Sequence, residues 1–213
     1  MQNKKRLFIV GASHLGREIE SWLSLISVNE RDWEICGYLH TFQDHSPLQG
    51  YSSDFKILGA WEEYPFLKDD YCIIAVSDSS WKEKIYLRLK DKVGIFTYIA
   101  PTAIIGKFSS IGEGAIICPG CIVSTGVKIG NCVLLNIGSQ IGHDCQIGSY
   151  SSIMPNVDLG GHVVIGDKVY IGAKATILPK IIVENNSTIG AGSLVIKRVK
   201  KGKTVFGNPA EYI

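Results

Sequence analysis

From Ile99 onward the chain places an aliphatic residue at every sixth position: Ile99, Ile105, Ile111, Ile117 and so on to Val195, seventeen in unbroken succession. Nine of them are followed directly by glycine, among them Gly106, Gly142 and Gly190, and the residue two places before each aliphatic is small or β-branched. A period of six fits neither a 3.6-residue helix nor an ordinary array of strands and turns, which needs longer units. It predicts a coil with three flat faces, in which each hexapeptide supplies one short strand with its aliphatic side chain pointing inward. Glycine after the aliphatic is expected near a corner, in a backbone conformation unfavourable to other residues. Three hexapeptides close one 18-residue coil, so residues 97 to about 195 should form about five to six coils of parallel sheet. The period never slips, and no protruding loop is expected.

The first 96 residues alternate differently. Apolar runs at Arg6–Val10, Glu34–Leu39, Lys56–Leu58 and Tyr71–Val76 predict strands, and helical spacing predicts helices from about Leu15 to Ser27 and Ser80 to Lys92. This is the pattern of a small α/β unit on a parallel sheet, residues 1–96, ahead of the coil, residues 97–213. Its first turn, Gly11-Ala-Ser13-His14-Leu-Gly16, is close to a dinucleotide fingerprint, where glycines permit a tight turn and a helix N-terminus attracts phosphate. A nicotinamide-binding unit should end its second strand in an acid that holds the ribose hydroxyls; here the strand ends Gly37-Tyr-Leu39-His40, which argues against a dehydrogenase.

Composition narrows the classes further. With 46% hydrophobic and 20% charged residues and a net charge of +2, the chain is of the soluble globular kind. The basic run Lys197, Arg198, Lys200, Lys201 and Lys203 is short and lacks interleaved aromatics, so no nucleic-acid partner is expected. The N-terminal apolar run Leu7–Val10 is too short for a signal peptide or a membrane span. A cytoplasmic protein with six reduced, buried cysteines follows. Cys118 and Cys121 form a C-x-x-C, but without a second pair at zinc spacing and without a βα turn they predict neither metal nor redox chemistry.

The repeat resembles that of the hexapeptide-repeat acyltransferases. Three further segments resemble the sugar O- and N-acetyltransferases of the sialic-acid and bacillosamine type: the opening strand with Gly11–Gly16, the stretch Asn136-Ile-Gly-Ser-Gln-Ile-Gly-His143-Asp144, and the ending Gly207-Asn-Pro-Ala210. The resemblance implies a Rossmann-like α/β domain followed by a left-handed parallel β-helix, assembled as a homotrimer. It also implies transfer of an acetyl group from acetyl-CoA to an amine or hydroxyl of a sugar, expected to be nucleotide-linked, with no metal. The front domain would then hold the acceptor, with Gly11, Ser13 and His14 at the first turn, Ser77 and Asp78 after the Tyr71–Val76 strand, and Asn136 completing the substrate set. In that family an aspartate pair commonly occupies the place of Leu39 and His40. This departure leaves open a different nucleotide or an unusual sugar.

The attacking group must lose a proton, and a histidine is suited to take it, with a neighbouring carboxylate fixing the tautomer. In the resembled family the histidine at the position of His143 is that base, and the following acid, here Asp144, supports it. One coil beyond His143 lies Gly161, whose N–H is the candidate for holding the thioester oxygen, and one coil beyond Asp144 lies His162. Ser152 stands where some relatives carry a second histidine near the acetyl group. The resemblance places acetyl-CoA between adjacent subunits, along the backbone of Gly172-Ala173 and Gly190-Ala191, with Lys197 and Arg198 toward its phosphates. Two rivals are weaker. A zinc enzyme of carbonic-anhydrase type needs three histidine ligands, and the repeats hold only His143 and His162. A non-catalytic β-helix scaffold or regulatory binding protein would bind acetyl-CoA without transferring its acetyl group.

Overall fold

In the computed structural model, which describes residues 4–41 and 46–213, the six-residue period is built as a three-sided parallel β-helix. Every strand of the repeat is two residues long, from Tyr98–Ile99 to Leu194–Val195. One face stacks the six strands from Ile104–Ile105 to Leu194–Val195, and a second stacks the five from Ser110–Ile111 to Ile182–Val183. The third stacks those from Tyr98–Ile99 to Thr188–Ile189. Partners are 18 residues apart and parallel at each step, as in Val123 beside Ile141 and Ile141 beside Leu159. A hairpin of Thr204–Gly207 and Ala210–Tyr212, joined through Asn208-Pro209, finishes the third face.

The interior is what the period demands. From Ile117 to Val195 each aliphatic of the series is at most 5% exposed, and burying one such side chain is worth about 1.5–3 kcal/mol. The stack is open at its start, where Ile99 is 41% exposed and Ile105 and Ile111 are half-buried. Buried serines two places before the aliphatics keep their hydroxyls bonded. Ser139 Oγ donates to the Met154 carbonyl at 2.9 Å and Ser151 Oγ to that of Gly166 at 2.8 Å. Cys121 and Cys145 fill the same place, their thiols directed at the Asn136 and Gly160 carbonyls at 3.2 and 3.1 Å.

The glycine expectation needs correcting. Left-handed backbone occurs three residues after the aliphatic, at Gly114, Gly120, Gly126, Gly138 and Gly192 but also at Asp144, Asn156, His162 and Lys180, with φ between 56° and 72° in these residues. The glycine directly after the aliphatic has no such φ. It is required because coils touch there: a Cβ on Gly148 would stand 2.4 Å from the Gly166 carbonyl carbon, and one on Gly142 2.7 Å from that of Gly160.

The first 96 residues fall mostly in a separate compact unit (1–77 with 81–96), the β-helix taking 97–213 with 78–80. Its elements are β1 (Lys5–Val10), α1 (His14–Ser24), β2 (Trp33–His40), β3 (Ile57–Ala60), β4 (Asp70–Ile74), α2 (Ser79–Leu89) and β5 (Gly94–Ile95). The sheet order is β3-β2-β1-β4-β5, all parallel, so the chain reverses its direction of travel between β1 and β4. Both helices end about three residues earlier than their apolar spacing predicts, α1 closing where Ile26 N–H turns back to the Leu23 carbonyl. Asp70, 2% exposed, ties β4 to β1 through Arg6, at 2.8 Å from Nε and 2.7 Å from Nη2, and also accepts Leu67 N–H at 2.7 Å. Burial pushes its carboxyl up, yet the Arg6 and Leu67 bonds outweigh that and hold it below the usual carboxylate range. Among the described residues no helix is long and apolar enough to cross a membrane.

Candidate active site

The corner between the first and second faces carries the polar cluster. Asp144 and His162 occupy its left-handed position in successive coils, and the His162 N–H donates to the His143 carbonyl at 2.9 Å, which locks the two corners in register. His143 Nδ1 lies 2.8 Å from Asp144 Oδ2. All three side chains are about half exposed. The hydrogen bond from His143, helped by the charge of His162, holds the Asp144 carboxyl below its ordinary range. With Nδ1–H given to a carboxylate, the imidazole carries its lone pair on Nε2. His162 stands edge-on to His143, ring centroids 4.9 Å apart, with Nε2 3.8 Å from Asp144 Oδ2, beyond a hydrogen bond.

Gly161 lies against the free nitrogen of that ring. A Cβ built on it would stand 2.6 Å from His143 Nε2, so no other residue fits there without displacing the imidazole. Its N–H has no acceptor among the described residues. The corner between the second and third faces shows why. There each equivalent N–H is taken by a side-chain oxygen one coil ahead: Glu113 by Asn131, Asn131 by Ser149, Ser149 by Asp167 and Asp167 by Asn185, at 2.8–3.1 Å. One coil beyond Gly161 stands Pro179, whose ring offers no oxygen. Sequence reading named Gly161 and missed Pro179; the same 18-residue step, taken once more, finds it.

The remaining residues divide by corner. Lys197 is exposed two coils past Gly161 on the same edge. Arg198 follows it, but its guanidinium is held by Glu184, Nε at 2.8 Å and Nη2 at 2.7 Å from Oε1. Asn136 sits at the preceding corner, not beside His143, and its Oδ1 accepts the N–H of Ile137 at 2.7 Å. Gly172-Ala173 and Gly190-Ala191 share that preceding edge, coil upon coil, with the Gly192 N–H on the Ala173 carbonyl at 2.8 Å. Ser152 is buried on the third face. The Cys145 thiol is buried and pushed up by that burial, which keeps it protonated and unreactive. His143, Asp144 and His162 bring candidate metal-ligand atoms within 4.8 Å of one another, two imidazoles and not the three of a zinc hydratase.

In the first unit, Gly11 has φ +109° and packs where a Cβ would lie 2.6 Å from the Ala75 carbonyl oxygen, and a Cβ on Gly16 would meet that of Gly11 at 2.0 Å. Both glycines are required for α1 to close on β1. Beside this turn lies a cavity of about 190 Å³ lined by Gly11, Ser13, His40, Thr41, Trp61 and Trp81 among others. Ser13 caps α1 without a side-chain bond, and His14, Ser77 and Asp78 are exposed.

Residues 162–197 match the family described as bacterial transferase hexapeptide (six repeats). The chain carries this repeat and shares its fold, end to end, with solved acetyltransferases. The acetyltransferase domain of PglB from Neisseria gonorrhoeae FA1090, in complex with acetyl coenzyme A, is 21% identical with a TM-score of 0.86, covering 99% of this chain and 100% of that one. PerB from Caulobacter crescentus, in complex with CoA and GDP-perosamine, is 19% identical with a TM-score of 0.86, covering 97% and 96%. WeeI from Acinetobacter baumannii AYE is 27% identical with a TM-score of 0.82, covering 99% and 100%. No curated protein matches in sequence. The three-sided coil is consistent with the left-handed β-helix that the repeat implies.

Proposed function

We propose that this chain is an acetyl-CoA-dependent sugar acetyltransferase acting on a nucleotide-linked acceptor, with His143 as general base. The observation that carries the reading is the arrangement at one corner: Nδ1 of His143 held by Asp144, Nε2 directed over Gly161, and a Gly161 N–H that no acceptor takes. The acceptor amine or hydroxyl attacks the thioester carbonyl while His143 Nε2 takes its proton. The carbonyl oxygen, gaining negative charge, accepts the Gly161 N–H. As the C–N or C–O bond completes, the C–S bond breaks and CoA leaves as thiolate, which recovers the proton from His143. Asp144 stabilises the imidazolium between these steps.

The donor fits the small residues of the neighbouring corner, where Ala173 and Ala191 leave peptide groups open to the pantetheine amides. In a homotrimer this edge of one subunit would meet the His143 edge of the next, and Lys197 is the cation left for CoA phosphate, since Glu184 occupies Arg198. We read the front unit as Rossmann-like because its parallel sheet reverses beside β1, and in this reading it receives the acceptor at the Gly11–Gly16 turn, where such sheets bind ligands. Such an enzyme works in the cytoplasm, where acetyl-CoA is found. Thiol release from acetyl-CoA, measured over UDP-, GDP- and dTDP-linked amino sugars and free sialic acids, tests the reading. Acetyl-CoA binding without thiol release for any of them would identify a scaffold instead.

A further inference from the structure

The corner that carries His143 also has the make-up of a metal site, and acetyl transfer by His143 gives its third member, His162, no step. Asp144 Oδ2 lies 2.8 Å from His143 Nδ1 and 3.8 Å from His162 Nε2, and the candidate ligand atoms of the three residues all fall within 4.8 Å of one another. In a tetrahedral zinc site, with bonds of about 2.0–2.1 Å, ligand atoms stand about 3.3 Å apart. Small rotations of these half-exposed side chains bring all three onto one ion. The frame beneath them is already fixed. Asp144 N–H donates to the Thr125 carbonyl at 3.0 Å and His162 N–H to that of His143 at 2.9 Å, which holds the ligands in adjoining coils. Gly126, one coil before Asp144, leaves room for Oδ1, since a Cβ there would stand 2.7 Å from it, and Oδ2 is turned toward the imidazoles. Two imidazole nitrogens and one carboxylate suit zinc, whereas magnesium and calcium take oxygen ligands. Lys180, exposed at the same position of the next coil, brings a positive charge near and favours a modest affinity.

We propose that His143, Asp144 and His162 bind a zinc ion, and that the bound ion switches acetyl transfer off. The inhibition, though not the binding, rests on the reading of His143 as base. Zinc takes the place of the proton on Nδ1, and a neutral imidazole bound through Nδ1 carries its proton on Nε2, the atom that faces Gly161. That nitrogen then has no lone pair to accept the proton of the attacking group. The metal is an inhibitor in this scheme and takes no part in the transfer.

Calorimetry on the full chain with zinc chloride alone reads the site, with magnesium chloride as the oxygen-seeking control. The wild type should take up one zinc per chain and no magnesium. His162→Asn, which suits the left-handed backbone at φ +60°, should weaken zinc binding about tenfold or more, at least what loss of an outer-shell partner costs. Acetylated product, counted by chromatography because the CoA thiol itself takes up zinc, should fall in the wild type as zinc fills the site and return on adding a chelator. His162→Asn, measured against its own zinc-free rate, should resist the same zinc concentrations. No zinc uptake, or equal uptake by His162→Asn, overturns the site. Uptake that depends on His162, with product formation undiminished, upholds the site and overturns both the inhibition and the role of His143 as base. If the wild type acetylates no acceptor even without zinc, the acetyltransferase reading and the inhibition fall together, while calorimetry still decides the site.

Discussion

His143 owes its proposed role to two neighbours, one that orients it and one that leaves it room. Asp144 holds Nδ1, and Asp144→Asn should lower kcat less than removal of the base itself, because the amide oxygen still accepts that hydrogen bond. Gly161→Ala puts a methyl 2.6 Å from Nε2 at a residue with ordinary backbone, so the fold should survive and kcat should fall about 10–100-fold as the ring swings away. Pro179→Asn is the sharper test of the N–H donor. It supplies one coil ahead the oxygen that Asn185 gives to Asp167, so it should tie up the Gly161 N–H and lower kcat about tenfold or more, with acetyl-CoA affinity nearly unchanged. Steady-state kinetics with acetyl-CoA titration reads all three; an unaffected Pro179→Asn would remove Gly161 from the mechanism. The His-Asp pair and Gly161 were legible from sequence because stacking arithmetic in this fold is rigid. The pairing of Arg198 with Glu184 was not, since a 14-residue separation has no meaning until the coil ends and the chain folds back.

Periodicity located the two-residue strands of the repeat, though not the closing hairpin, and mistook the reason for glycine. Pattern cannot tell a residue that needs positive φ from one that needs no side chain, and both recur every six residues. The left-handed position holds Asp144, Asn156 and Asn186, which tolerate that backbone, but also Tyr150 and Lys168, whereas glycine after the aliphatic is there for contact. The distinction is measurable by chemical denaturation. Gly148→Ala should cost about 3 kcal/mol, since its methyl meets backbone at 2.4 Å, whereas Gly120→Asn, at φ +72° with its nearest neighbour 3.8 Å away, should cost under about 0.5 kcal/mol. In the first unit, the Arg6–Asp70 tie makes a pH prediction. The folded carboxyl titrates below its unfolded value, so the stability it contributes is present above the unfolded pKa and is lost as pH falls through the folded one. Arg6→Leu should cost about 2–3 kcal/mol, less than the roughly 3–5 of a fully buried pair because the Arg6 side chain is 37% exposed. It should also raise the pH at which near-ultraviolet circular dichroism reports acid unfolding.

Taken as one molecule, the chain joins a unit with a small cavity beside its first turn to a coil whose half-exposed imidazole pair lies at one corner. Of the expected donor residues, Gly172-Ala173 and Gly190-Ala191 sit on a different corner from the base, which Lys197 shares, and this is why the proposed function requires a second copy; sedimentation equilibrium should give a trimer, and a stable monomer with full activity would contradict that assembly. The cavity of the first unit was not legible, because its lining joins His40, Thr41, Trp61 and Trp81, which lie far apart along the chain. The central claim is direct transfer assisted by His143. Its most direct test is the thiol-release rate of His143→Ala beside the wild type, on the nucleotide amino sugar the wild type turns over best, with acetyl-CoA binding measured on both. The account predicts a fall in kcat of about 10²–10⁴ with acetyl-CoA affinity nearly unchanged; full activity in His143→Ala, or an acetyl group trapped on Cys145, would contradict it.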